Sequence, residues 1–125
     1  MVVLDASALL AFLHDEPGSR RVEQVLEEAV MGTVNWSEVI QKALARKIDV
    51  RGMADDFASL GLRLLPFSAP QAETAARLRE TAGIPALSLA DRACLALAID
   101  IDAPVLTADR VWAALDLSVS VEVIR

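Results

Sequence analysis

Four acidic residues stand where an apolar run ends or an apolar helix begins. Asp5 follows Val2-Val3-Leu4, Glu38 follows Gly32-Thr33-Val34 and Asn35, and Asp109 follows Pro104-Val105-Leu106 and Thr107, while Asp91 falls in the first turn of the segment Leu89 to Ile101. If the three runs are parallel strands, their acids gather along one rim of a sheet, because ligand crevices in open α/β sheets lie outside the carboxyl ends of the strands. Two carboxylates ~4 Å apart repel by about 4 kcal/mol at an effective dielectric near 20, so converging acids demand a cation or give up their charge. Oxygen ligands without His or Cys suit Mg²⁺, with Mn²⁺ as a substitute. Ions held this way activate water and stabilise the leaving oxygen in phosphodiester hydrolysis.

Each acid also has an ordinary structural role open to it. Asp5 sits where a helix cap would, Asp109 could cap the short helix Arg110 to Leu115, and Asn35-Trp36-Ser37-Glu38 and Ser88-Leu89-Ala90-Asp91 both have capping-box spacing. The metal reading gains over four separate caps because random surface acids would scatter over both rims of the sheet.

The elements that must position these acids read in the order strand, helix, helix, strand, helix, helix, strand, helix, helix, strand, short helix, strand. Such alternation points to parallel βαβ units. Val2 to Leu4 is apolar throughout, as a strand buried on both faces should be, whereas Val119-Ser120-Val121-Glu122-Val123 alternates like an edge strand. Helical spacing links Val22, Val25, Leu26, Ala29 and Val30, then Val39, Ile40, Ala43, Leu44 and Lys47-Ile48, then Met53, Ala54, Phe57 and Ala58 ahead of Gly61. Pro70 opens a further helix through Leu78 that Gly83 and Pro85 should stop, and Leu89 to Ile101 is apolar nearly all round, as a helix buried against a sheet would be.

At 125 residues, 54% apolar and 4% aromatic, the chain suits one α/β domain spanning residues 1–125, with no repeat or long linker. The apolar stretch Leu87 to Leu106 is broken by Asp91, Arg92, Asp100 and Asp102, so no membrane span is expected, and no secretory signal is visible. A cytosolic location follows. Cys94 and His14 are each the only residue of their kind, which excludes an internal disulfide, a cysteine-built zinc site and a two-histidine nuclease mechanism. His14 reads as an exposed residue near a helix end. No glycine-rich phosphate loop occurs.

Val3-Leu4-Asp5-Ala6-Ser7, Asn35-Trp36-Ser37-Glu38-Val39, Leu89-Ala90-Asp91-Arg92-Ala93-Cys94 and Leu106-Thr107-Ala108-Asp109-Arg110-Val111-Trp112 together resemble the acidic motifs of PIN-domain ribonucleases, most closely the VapC toxins of toxin–antitoxin pairs. The four motifs fall in family order over nearly the whole chain. The resemblance implies a PIN-like three-layer α/β/α fold with a parallel sheet of about five strands and Mg²⁺-dependent cleavage of RNA. It also implies a homodimer and a VapB-type antitoxin partner that inhibits the enzyme. On it, Asp5, Glu38, Asp91 and Asp109 are the catalytic, metal-binding acids. Ser7 and Thr107 are the hydroxyls beside the first and last of them, and Asn35 is the polar residue before the second. For these three, capping of local backbone is an equally good role. Trp112 matches the aromatic after the last acid, yet Trp112 and Trp36 are both better explained as packing anchors. Leu9, Leu10, Phe12, Leu13 and Ile40 are candidates for an antitoxin groove and are equally explicable as core.

Charge is a difficulty for an enzyme acting on RNA, since 18 acids face 12 bases. Setting the four proposed ligands aside leaves a near balance. Lys42, Arg46 and Lys47 with nearby Arg51, and Arg20 with Arg21, are the basic clusters that could meet phosphates, although a solvated basic face is the ordinary expectation. Three other functions compete. A phospho-accepting receiver domain needs a lysine after a late strand, and the chain's lysines are Lys42 and Lys47 alone. A dehalogenase-like phosphatase prefers Asp where Ser7 stands. A catalytically silent PIN-like binding module would bind RNA or protein without metal-dependent cleavage.

Overall fold

The computed structural model describes residues 1–81 and 87–125. Gly83 and Pro85, the expected helix stop, lie outside the described residues. Five strands, β1 (Val2–Leu4), β2 (Ala29–Gly32), β3 (Arg63–Leu65), β4 (Val105–Thr107) and β5 (Val121–Val123), pair in the order β3-β2-β1-β4-β5, every neighbour parallel. Among the described residues six helices connect them: α1 (Ala6–Leu13), α2 (Ser19–Val25), α3 (Thr33–Ala45), α4 (Met53–Ser59), α5 (Ala69–Leu78) and α6 (Leu89–Ile101). The element order agrees with the sequence reading apart from a 3-10 turn at Leu26–Glu28 after α2. This is a PIN-like α/β architecture with the expected five-stranded parallel sheet.

Strand alternation divides the core into two layers. Val2 and Leu4 point to the side packed by Leu9, Val22, Val25, Val39 and Phe57 of α1 to α4, whereas Val3 and Val30 point to the side packed by Leu78, Leu95 and Leu97 of α5 and α6. Both faces of β1 are thus covered, as its unbroken apolar run predicts, and β5 lies at the edge with its residues only half-buried. Trp112, in the 3-10 turn Arg110–Ala114, is 1% exposed and fills the second layer, and Trp36 packs edge-on to Phe57 with ring centroids 5.9 Å apart. Both tryptophans are packing anchors.

Three element boundaries depart from the sequence reading. Ala29 and Val30 belong to β2 and not to the preceding helix, and Thr33 and Val34 lie in α3 and not in a strand. Helical spacing runs through Ala29 and Val30 by coincidence, because a four-residue strand buried on both faces has no period of its own to set against it. The extended backbone of Gly32 then serves as the N-cap of α3, so the strand ends where the glycine begins the helix. At the other end α3 stops at Ala45, with Arg46 as cap and Lys47 in the left-handed region at φ 60°, so the helical spacing does not reach Ile48.

Helix α6 is buried from Ala93 to Ala98, as its composition predicts. Its N-terminus is strapped to α5 by Arg92, whose guanidinium donates to the Ala75 carbonyl at 3.0 Å and to the Leu87 carbonyl at 3.4 Å. That strap fixes the end of the helix that carries Asp91.

Candidate active site

Asp5 leaves β1 and becomes the N-cap of α1, accepting the Ala8 backbone N–H at 2.8 Å. The cap is only part of its environment. Ser7 Oγ donates across both carboxylate oxygens, at 2.7 and 2.9 Å, and Thr107 Oγ1, at the end of the adjacent strand β4, donates to Oδ2. Each hydroxyl also accepts a backbone N–H, Ser7 from Ala108 at 2.9 Å and Thr107 from Asp109 at 3.0 Å. Since each has spent its one proton on Asp5, the 3.3 Å approach of Ser7 Oγ to Thr107 Oγ1 is a contact of two acceptors and not a hydrogen bond. The β4 exit that carries Asp109 is therefore locked to Asp5 through two hydroxyls.

Burial dominates the charge state of this carboxylate. Asp5 is 5% exposed, and desolvation pushes its pKa from 3.8 up to about 6 against the lowering effect of Thr107, Ala8 and Ser7, with the negative charge of Asp91 adding to the rise. Cys94, one helical turn beyond Asp91 and fully buried, has its thiol pushed well up as well. The largest cause is again burial, followed by the charges of Asp5, Asp91 and Glu38. Asp5, Asp91 and Glu38 thus each raise the Cys94 thiol by their charge, and the backbone N–H of Asp109 is linked to Asp5 through Thr107.

The remaining acids are turned toward their own backbones. Asp91 completes a capping box with Ser88, accepting the Ser88 N–H on Oδ2 at 3.1 Å while Ser88 Oγ accepts its own N–H. Asp109 Oδ1 accepts the Val111 N–H at 3.0 Å and caps the 3-10 turn. Both caps are those the sequence spacing suggested. The box expected at Asn35 and Glu38 does not form, because α3 already starts at Thr33 and places Asn35 inside the helix. Glu38 instead meets Lys42 one turn on at 3.6 Å, a partly exposed pair that contributes little. Asn35 is buried and donates from Nδ2 to the Ala90 carbonyl at 3.0 Å, joining the helix of Glu38 to the helix of Asp91. Its Oδ1 has no partner among the described residues.

As their side chains are placed, no three His, Cys, Asp or Glu among the described residues stand ready around a single ion. The donor set nevertheless fits a hard divalent cation. Asp5 is a buried carboxylate short of positive charge, one oxygen each of Asp91 and Asp109 has no hydrogen bond among the described residues, and the Asn35 oxygen is an orphaned acceptor on the neighbouring helix. Mg²⁺ keeps several waters and takes one or two carboxylates directly, so it does not require all four acids within contact distance.

Other predicted residues are placed differently from expectation. His14 is half-buried at the C-terminal end of α1 and lines a cleft with Ser7 and Leu10. Arg21 is not a free phosphate contact, because its guanidinium is held by Glu122 of β5 at 2.6 and 3.1 Å. Arg51 is similarly engaged by Asp49 at 2.7 Å. Leu9 is fully buried core and cannot line a groove, while Phe12, Leu13 and Ile40 are half-buried against that core. Sequence reasoning missed the double role of Thr107 as donor to Asp5 and acceptor from Asp109, and the signal for it was the adjacency of β1 and β4.

The PIN domain family model matches residues 2–117. No curated protein matches the sequence at a significant level. Among solved structures, the fold is similar to that of the DNA-bound VapBC complex of Salmonella typhimurium, with a TM-score of 0.72, 18% identity and coverage of 97% of this chain and 96% of that one. A Mycobacterium tuberculosis VapC toxin described as cleaving the sarcin–ricin loop aligns with a TM-score of 0.71 at 13% identity, over 96% of this chain and 99% of that one. The FitAcB structure from Neisseria gonorrhoeae aligns with a TM-score of 0.66 at 24% identity, over 97% and 96%. At these identities the structural likeness speaks for the fold.

Proposed function

The chain belongs to the PIN-domain family, and on that premise we propose that it is a Mg²⁺-dependent endoribonuclease, the toxin of a VapBC-type toxin–antitoxin pair. The observation that carries this reading is Asp5, a buried carboxylate at the C-terminal rim of the central strand, pinned by Ser7, Thr107 and Ala8 and raised further by the charge of Asp91. An arrangement that raises the pKa of an acid by burial and by a like charge is unfavourable for folding alone, and strongly perturbed carboxylates of this kind concentrate at functional sites.

Asp5, Glu38, Asp91 and Asp109 would hold the ion, with Mn²⁺ an acceptable substitute for Mg²⁺. Bound there, a divalent ion supplies an activated water and charge neutralisation at the phosphodiester. The chain's own contribution is positional. Ser7 and Thr107 fix the Asp5 carboxylate and hold the Asp109 backbone to it, and Asn35 holds the first turn of α6, and so Asp91, against α3. Burial keeps water from screening the charge of Asp5, whereas Glu38 and Asp91 are half-buried and Asp109 is exposed.

RNA is the proposed substrate because the M. tuberculosis structure is described as that of a sarcin–ricin-loop-cleaving toxin. A small VapB-type antitoxin is the proposed partner because the S. typhimurium structure is a VapBC complex, and a homodimer is the proposed assembly on family resemblance. Phe12, Leu13 and Ile40, half-buried, are the apolar residues available to such an antitoxin, since Leu10 is buried in the core like Leu9. The capping bonds of Asp91 and Asp109 favour one rival, a silent binding module in which the acids only terminate helices. Purified protein freed of antitoxin separates the two. The nuclease cuts structured RNA in Mg²⁺, is inactive in chelator, and loses cleavage in Asp5→Asn and Asp91→Asn with the fold intact. Equal cleavage by wild type and Asp91→Asn contradicts the assigned site.

A further inference from the structure

A cleft of about 210 Å³ opens beside Ser7, and its walls carry Lys42, Arg46, Arg125 and His14 against one acid, Glu16. Three permanent cations in one small cleft are unexpected in a chain of formal net charge -6. Their pairing is incomplete. Arg125 reaches Glu16 at 3.8 Å and Lys42 reaches Glu38 at 3.6 Å, both loose and partly exposed, while Arg46 has no ion pair among the described residues.

The cleft adjoins the acidic site through two of its lining residues. Ser7 lines it and donates from Oγ to Asp5, and Lys42 lines it and reaches Glu38 at 3.6 Å. An anion resting there is therefore one side chain away from the acids. The space is smaller than the roughly 300–1,000 Å³ of a drug-sized ligand pocket and matches a phosphate with part of its sugar. A free guanidinium can meet phosphate oxygens in a bidentate fork, and an ammonium adds a point charge.

We propose that this cleft is an RNA-backbone subsite that takes the phosphate next to the one being cut, with Arg46 and Lys42 as its contacts. The inference rests on the nuclease reading above and deepens it, since it gives a negatively charged protein a local means of holding a polyanion beside an acidic centre. It also separates the basic residues by function. Lys42 and Arg46 face the cleft, whereas Lys47, exposed beyond the end of α3, does not line it.

The test is binding of a fluorescein-labelled, ribose-methylated single-stranded RNA in chelator, followed by anisotropy across a salt series. For single strands each phosphate contact contributes about 0.7 to the slope of log affinity against log salt, which is about fivefold in affinity at ~0.1 M salt. Arg46→Gln and Lys42→Gln should each weaken binding by about that factor and flatten the slope by about 0.7, Arg46→Lys should recover part of the loss, and Lys47→Gln should change neither. In cleavage assays Arg46→Gln should raise KM and leave kcat near wild type. Equal effects of Arg46→Gln and Lys47→Gln, or wild-type binding by Arg46→Gln, overturn the subsite. An acidic peptide that displaces the labelled RNA more effectively than unlabelled RNA would assign the cleft to a protein partner and overturn it too. Absent cleavage with the binding pattern intact refutes the nuclease reading and upholds the cleft, whereas cleavage that persists with Arg46→Gln binding like wild type does the reverse.

Discussion

Replacing Asp5 with Asn should make the metal-free protein more stable relative to wild type as pH rises. The carboxyl has a native pKa of about 6 against an ordinary 3.8. A raised acid pKa means that the native state binds its proton more tightly than the unfolded chain. The associated stability is fully present below pH ~3.8 and is lost as pH climbs through the native value. At about 1.36 kcal/mol per unit, the loss reaches about 3 kcal/mol at neutral pH, roughly half of it falling between pH 5 and pH 7.5. Asn cannot ionise, and its amide can still accept from Ala8 and exchange hydrogen bonds with Ser7 and Thr107. Urea denaturation of both proteins in chelator, at a series of pH values, isolates Asp5 and its interaction with Asp91, because carboxylates that do not interact with it cancel in the difference. The stability difference should move toward the variant by about 1.5 kcal/mol from pH 5 to pH 7.5. Adding Mg²⁺ should offset the penalty in wild type and leave the variant unchanged. A difference that is flat with pH, or that moves toward wild type, would refute the claim that Asp5 is a desolvated carboxylate short of a cation.

Further consequences follow from the same contacts. Thr107→Val keeps the shape and removes both hydrogen bonds of the hydroxyl, so it should destabilise by about 1–3 kcal/mol and move the acid limb of any cleavage profile to higher pH, read by denaturation and a pH–rate series. Cys94 is fully buried, and burial followed by the charges of Asp5, Asp91 and Glu38 pushes its thiol up, so it should resist thiol reagents until the protein unfolds. Rapid labelling of the native protein would contradict that burial. Gly61 has φ +105°, and a Cβ there would lie 2.5 Å from the Glu27 Cα, so Gly61→Ala should lower stability by about 1–3 kcal/mol or more in thermal unfolding.

Elements with a strong pattern of their own were legible in the sequence. β1 announces itself as an apolar run ended by an acid, α6 as a long apolar helix with Ser88 and Asp91 at capping spacing, and β5 as an alternating edge. β2 was displaced because Ala29 and Val30 continue the period of α2, and only tertiary pairing with β1 decides against the helix. The Arg21–Glu122 pair spans 101 residues and leaves no local trace, so a cluster that looks free in sequence is engaged in the fold. The same limit applies to the acids. Their types, their places at strand ends and the capping roles of Asp91 and Asp109 are sequence information, whereas the box that Asn35 and Glu38 do not form depends on a helix start, at Thr33, fixed only by packing.

The central claim is that Asp5, Glu38, Asp91 and Asp109 meet around a divalent ion, and anomalous diffraction from crystals grown with Mn²⁺ tests it most directly. The account predicts a manganese peak at about the 2.0–2.2 Å expected for a hard ion and oxygen from carboxylate oxygens of Asp5 and at least one other of the four, with the rest reached through water. A peak bound elsewhere, or none in crystals whose protein is folded and whose Asp5 pocket is open to solvent, would contradict it.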